Sequence, residues 1–158
     1  IDYVINTAGV LRIGKLAEQP EEERVAGMFS SVDGGHTWQF LWQDMQREYT
    51  RPLCIDPRAP HAVTVASAPT AFSSYKDEGG ARAMLYRTED GGETWRSLCD
   101  RDHSPSAANF HGLVPDPSAS GGVLVGTDTG EVWRVSDAGA WTQLAGGMPS
   151  VLSILPLS

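Results

Sequence analysis

Hydrolysis of a glycosidic bond with inversion asks for two carboxyl groups set roughly 6.5–9.5 Å apart, with water between them. The chain carries carboxylates suited to that work in two stretches. APTAFSSYKDEGGAR, residues 68–82, holds Asp77 and Glu78 beside Tyr75, and residues 100–109 open with Asp100-Arg101-Asp102-His103. Asp77 or Glu78 with Asp100 or Asp102 makes such a pair if the fold brings the two stretches together. Residues suited to gripping a ligand there are Arg51, Arg101, His103, His111, Tyr49 and Tyr75, with Trp42, Tyr49, Phe72 and Tyr75 as stacking surfaces. Taken singly, each of these charges is also what a solvated loop carries.

Other chemistries find no matching residues. There is no G-x-S-x-G elbow, no phosphate-cradling G-x-x-x-x-G-K-[ST], and no dinucleotide fingerprint opening a helix. His36, His61, His103 and His111 share no metal-ligand spacing, and the Asp-rich turns lack the spacing of a calcium loop. No metal and no cofactor are expected. A net charge of −8 repels polyanions, so nucleic acid and anionic membranes are poor partners. No apolar run approaches the ~20 residues of a membrane helix. Cys54 and Cys99 read as buried thiols rather than a disulfide framework. The absence of paired cysteine spacing and of glycosylation sequons points to the cytoplasm.

The elements that position these residues announce themselves by repetition. SSVDGGHTWQF recurs as RTEDGGETWRS, and a shortened copy, SDAGAW, follows at 136–141. Independently, LCIDPRAPHAVTVAS (53–67) lays over LVPDPSASGGVLVGT (113–127) without a gap. Each copy of the second repeat reads as strand, Asp-Pro turn, strand. A third strand follows, 83–87 in one unit and 131–135 in the next. The Asp-Gly-Gly turn comes after it, and then a strand opening with Trp. Such a unit is four short strands in up-and-down order, the plan of a β-propeller blade. The 17 glycines and 10 prolines suit many turns better than many helices. In the turn, the glycines accept positive φ, the carboxylate accepts local N–H bonds, and the Trp is expected to bury itself between blades.

The motif S-x-D-x-G-x-T-W, complete at residues 31–38 and with Thr88 for Ser at 88–95, resembles the Asp box of BNR-repeat β-propellers. These are the sialidase-like superfamily, with its group labelled glycosyl hydrolases. The resemblance implies structural roles for Asp33, Gly35, Thr37 and Trp38, for Asp90, Gly92, Thr94 and Trp95, and for Asp137 and Trp141 in the degenerate copy. It places these corners on the face opposite an active site. For a sialidase it implies three arginines on a substrate carboxylate, a Tyr–Glu nucleophile and an Asp acid/base. Arg51 and Arg101, Tyr75 or Tyr49, and Asp77, Glu78 and Asp102 are what this chain offers for those roles. The Arg-Ile-Pro-like opening motif of true sialidases is missing.

The expected architecture is therefore all-β, a single propeller segment over 1–158. Its blades fall at about 1–43, 50–99 and 109–144, and 150–157 is the first strand of a further or closing blade. In the first blade, strands are expected at 1–5, 10–14, 25–30 and 38–42. Closed propellers have 4 to 8 blades, so a six- or seven-bladed ring completed by the same or another chain is expected. A missing N-terminal portion is the favoured source, given the Ile start. Loops 68–82, 43–51 and 100–109 are expected on one face, together with the acidic stretch 18–24, and the Asp-Pro and Asp-Gly-Gly turns on the other. Three functions fit: a propeller binding a glycan or protein ligand at its channel face, a glycoside hydrolase, or an assembly-factor propeller like those that help build photosynthetic complexes.

Overall fold

The computed structural model describes residues 3–6, 28–41, 45 and 49–157. The expected strand at 10–14, the stretch 18–24, Trp42 and most of 43–48 lie outside the described residues.

Among the described residues eleven strands make three antiparallel sheets, and there is no helix. The first sheet runs in the order β1 (Tyr3–Asn6), β2 (Met28–Ser31), β3 (Gln39–Leu41). The second is β4 (Tyr49–Asp56), β5 (Ala59–Ala68), β6 (Met84–Thr88), β7 (Arg96–Ser97). The third is β8 (Phe110–Pro115), β9 (Val123–Thr127), β10 (Val132–Val135), β11 (Trp141–Ala145). Sequence order equals spatial order in each sheet, as expected of blades. The two repeats keep register: Val63, Thr64 and Val65 of β5 face β6 as Val123, Leu124 and Val125 of β9 face β10.

Successive side chains point to opposite faces, so the second sheet packs against a neighbour on each side. One apolar cluster joins the second sheet to the third, with Leu85, Leu98 and Ala66 against Phe110, Val125 and Val135. Another joins the first to the second, with Met28 and Leu41 against Val63, Val65, Tyr86 and Trp95. The leading strands β4 and β8 lie against each other.

The Asp-Pro turns form as Asx turns. Arg58 N donates to Asp56 Oδ1 at 2.9 Å, and Ser118 N to Asp116 Oδ1 at 2.8 Å. The tips are also stitched together: Gly121 N donates to Asp56 Oδ2 at 3.0 Å, and Arg58 Nη2 to the carbonyls of Asp116 and Ala119 at 2.8 and 3.0 Å. Burial alone would raise the pKa of Asp56, but the Arg58 and Gly121 bonds outweigh it and hold the carboxyl at about 2.

The two Asp-Gly-Gly turns are near copies in atomic detail. Ser31 and Thr88 hydroxyls donate to Asp33 and Asp90 Oδ1 at 2.8 and 2.7 Å. Gly35 and Gly92 N–H groups donate to those hydroxyls at 2.8 Å in each copy. Thr37 and Thr94 hydroxyls donate to the second carboxylate oxygen at 2.6 Å in each. The second glycine of each turn has φ of 86° and 100°, where a side chain would be strained. In the shortened copy the Thr is gone. Asp137 instead pairs with Arg96 at 2.5 Å and Arg87 at 3.4 Å in the neighbouring sheet. Trp95 and Trp141 enter the seams as expected. Trp38 does not: 38% of it is exposed, because no described residues lie on that side to receive it.

Residues 146–157 form no strand. They run from β11 back across the third sheet, with Met148 N donating to Gly130 O at 3.1 Å and Val151 N to Thr127 O at 2.9 Å.

Leu98 is fully buried in the seam between the second and third sheets. Leu98→Ala should therefore cost about 3 kcal/mol of stability, read as a lowered urea midpoint at unchanged slope. The Thr37 hydroxyl and amide, then the Ser31 hydroxyl, hold Asp33 at about 2, below its ordinary 3.8, and equivalent bonds from Thr94 and Thr88 lower Asp90 further. Folded pKa values depressed in this way give stability that is full above the unfolded value and lost as pH falls from about 4 through about 2. Asp33→Asn with Asp90→Asn should flatten the thermal-midpoint profile across that window.

Candidate functional site

On the face away from the Asp-Pro and Asp-Gly-Gly turns, the β5–β6 and β7–β8 connections and the β9–β10 turn converge. The long β5–β6 connection is anchored at its base. Ala81 N donates to Ala107 O at 2.7 Å, and Ala83 and Ser106 exchange N–H···O bonds at 3.0 and 2.9 Å. Its tip is ordered locally: Ser74 N donates to Asp77 Oδ2 at 2.8 Å, and Gly80 N to Asp77 O at 2.8 Å. Asp128 joins the third sheet to this assembly, since Asn109 N donates to its Oδ1 at 2.9 Å and its own N–H to Asn109 O at 3.1 Å.

Arg51 stands at the centre, on the leading strand β4. Its Nη2 donates to the carbonyls of Ala71 and Ser73 at 3.1 and 3.4 Å, so the long loop grips the guanidinium from one side. The Asn109 amide donates to the same Ser73 carbonyl. The Tyr49 ring lies 5.5 Å from the guanidinium carbon, within cation–π range. Burial lowers the Arg51 pKa, while the Tyr49 and Asp128 charges oppose the shift. His111, one strand away on β8, is half-buried. Burial first, then the Arg51 charge, push it below the usual 6.5, and Asp128 pulls the other way.

Tyr49, Arg51, His111 and Asp128 thus sense one another across two sheets. Arg51 is in none of the ion pairs formed among the described residues. Its Nε is buried with no acceptor, and so is Asn109 Oδ1 with no donor. A half-buried cation held by neutral carbonyls, and in no ion pair among the described residues, favours an incoming anion. A carboxylate matches its planar fork.

The remaining candidates are placed elsewhere. Asp100 Oδ1 accepts the N–H groups of Asp102 and His103 at 3.1 and 3.0 Å and contacts His103 Nδ1 at 2.6 Å. Burial opposes ionisation of Asp100, but the His103 bonds and charge outweigh it and lower the pKa. The His103 ring stacks on Trp141 at 4.0 Å and meets Trp133 edge-on at 5.0 Å, so it packs the seam. Asp77, Glu78, Arg101 and Asp102 are exposed, as are Phe72 and Tyr75. Among the described residues no hydrogen bond or ion pair links Asp77 or Glu78 to Asp100 or Asp102. Asp128 and Asn109 were not singled out as site residues in the sequence. The one signal for Asp128 was its place in a second-to-third-strand turn on this face.

No family model matches the chain, and no curated protein does. Solved structures do. A GH74 enzyme from Niastella koreensis superposes with a TM-score of 0.55 at 18% identity, over 79% of this chain and 19% of that one. A GH74 xyloglucanase from Xanthomonas campestris gives 0.52 at 16% identity, over 75% of this chain and 17% of that one. YCF48 bound to D1 peptide gives 0.50 at 18% identity, over 75% of this chain and 34% of that one. All are β-propellers, and at these identities the likeness shows the fold alone. The chain is a partial β-propeller, spanning between 17% and 34% of the length of these structures.

The coupling at the mouth is directly measurable. The NMR titration of the His111 ring should have its midpoint below 6.5. Arg51→Gln should move that midpoint up by removing a repelling charge, and Asp128→Asn should move it further down. A wild-type midpoint at or above 6.5 would contradict the arrangement.

Proposed function

We propose that this chain belongs to a BNR-type propeller whose two complete Asp-Gly-Gly turns are Asp boxes, and that its channel face binds a carboxylate-bearing protein segment. The observation that carries the reading is Arg51, a half-buried guanidinium with a buried, unpartnered Nε and no ion pair among the described residues. Tyr49 and Asn109 flank it, and the long loop holds it in place. An extended segment presenting one carboxylate at the mouth would give Arg51 its counter-ion, Asn109 a backbone donor and Tyr49 an apolar stem to cover. The structure of YCF48 bound to D1 peptide is a precedent for a peptide bound by a β-propeller.

A glycoside hydrolase is the second reading, favoured by the GH74 neighbours. It would draw on Asp77, Glu78 and Asp102, which are exposed. Asp100 is already engaged by His103.

The two readings separate in one pair of assays. Titration with fluorescent peptides carrying a single Asp or Glu should show binding that Arg51→Gln weakens about tenfold, ~1.4 kcal/mol. Binding should also fall with added salt. Turnover of fluorogenic glycosides, lost in Asp77→Asn or Asp102→Asn, together with indifference to those peptides, would reverse the choice.

A further inference from the structure

The two leading strands carry the same irregularity. In β4 the pair Thr50–Ser67 is followed by the pair Leu53–Val65, so Arg51 and Pro52 stand opposite Ala66 alone. In β8 the pair Phe110–Thr127 is followed by Gly112–Gly126 and Leu113–Val125, so His111 and Gly112 stand opposite Gly126 alone. Two residues facing one make a β-bulge, which bends the strand and re-aims a side chain. The ungapped repeat that lays Leu53 over Leu113 also lays Arg51 over His111 and Tyr49 over Asn109. The bulge therefore recurs at one height in successive blades. Each time the residue before it is sealed, Thr50 and Phe110 at 0% exposure, while Arg51 and His111 are half-buried.

One repeat position thus supplies a permanent cation in one blade and a switchable one in the next. The packing of β4 on β8 brings the two together. Burial first, then the Arg51 charge, hold the imidazole below its usual 6.5. The acidic group at this height is tied to the backbone: Asp128 Oδ1 accepts Asn109 N–H at 2.9 Å, and Asp128 is in no ion pair among the described residues.

The titratable groups on the elements around His111 are accounted for as follows. Tyr49 and Arg51 of β4, and Asp128 just beyond β9, lie at its height. Cys54 of β4 is in the seam core, and Asp56 and His61 lie toward the Asp-Pro turns. Tyr75, Lys76, Asp77, Glu78 and Arg82 of the long loop are exposed, as are Arg101 and Asp102. Asp100 and His103 engage each other at 2.6 Å. Strand β9 and residues 146–157 carry no ionisable side chain. With His111 neutral, Arg51 and Asp128 offset one another. With it protonated, these three groups sum to a positive charge.

Resting on the channel-face reading above, we propose that His111 is the second arm of the carboxylate site and that ligand capture is coupled to its protonation. As a carboxylate settles on Arg51, a proton passes from solvent to the imidazole, and the imidazolium faces the same anion. The carboxylate cancels the charge that repels the proton and adds an attraction of its own. Linkage makes the effect reciprocal: protonated His111 raises affinity for the anion by the factor by which the anion favours the proton.

Nuclear magnetic resonance of the His111 ring in sodium acetate, against sodium chloride at equal ionic strength, reads the coupling directly. The titration midpoint should rise by about one pH unit in acetate and should not rise in Arg51→Gln. Affinity for the single-carboxylate peptides should grow about fivefold from about pH 8 to about pH 5.5, where Asp and Glu side chains remain largely ionised, and His111→Gln should flatten that profile. A midpoint that acetate leaves in place would overturn the proposal, as would peptide affinity independent of pH or an equal rise in Arg51→Gln. Flat but measurable peptide binding leaves the protein-segment reading standing. No peptide binding at any pH, with the acetate response intact, would sink that reading and support the coupled site for small carboxylates.

Discussion

The seam between neighbouring sheets is the constraint on which the rest depends. A twisted four-stranded sheet with two apolar faces has no stable existence alone in water. It becomes stable when Leu98, Leu85 and Ala66 meet Phe110, Val125 and Val135. That contact requires the fourth strand to be held so that its Trp faces back and its Leu faces forward. The Asp90 carboxylate does this, taking the Thr94 hydroxyl on one oxygen and the Thr94 amide and Thr88 hydroxyl on the other. An exposed group on a turn thereby orients a buried one several residues away.

The seam also assembles the channel mouth. Arg51 comes from the leading strand of one sheet, His111 from the leading strand of the next, and Asp128 from a turn beyond it. These residues become neighbours because β4 and β8 are pressed together. The long β5–β6 connection then contributes only backbone carbonyls to Arg51. Neutral acceptors fix the guanidinium in place, and no ion pair among the described residues takes its charge. On the opposite face the equivalent charges are consumed: Arg87 and Arg96 are paired with Glu89 and Asp137, and Arg58 with Asp56. The molecule thus has one face in which ion pairs knit the sheets together and another in which a cation is kept available.

How much of this could be read in advance divides along the range of the interactions. The Asp-Pro turns, the Asp-Gly-Gly corners and the order of strands were legible, because each is made by hydrogen bonds spanning a few residues and by alternation of period two. Tyr49, Arg51 and His111 were recognisable as mouth residues once the strands were placed. Asp100 and His103 looked equally suited to chemistry, yet the His103 ring stacks into the seam against Trp141 and Trp133, and Asp100 bonds its Nδ1. Nothing in Asp-Arg-Asp-His distinguishes a ring that faces solvent from one that caps an indole. Trp38 is the converse case: its motif is complete, but the partner surface that buries its equivalents is absent from the described residues.

By itself, then, the sequence determined the all-β class, the blade-like units and the self-satisfied corners, since local bonding and strand periodicity suffice for them. Only the tertiary structure decided which charges remain unpaired. That outcome depends on which loop carbonyls reach Arg51 and which carboxylates do not, and on two sheets meeting at one seam between residues as far apart as Tyr49 and Asp128.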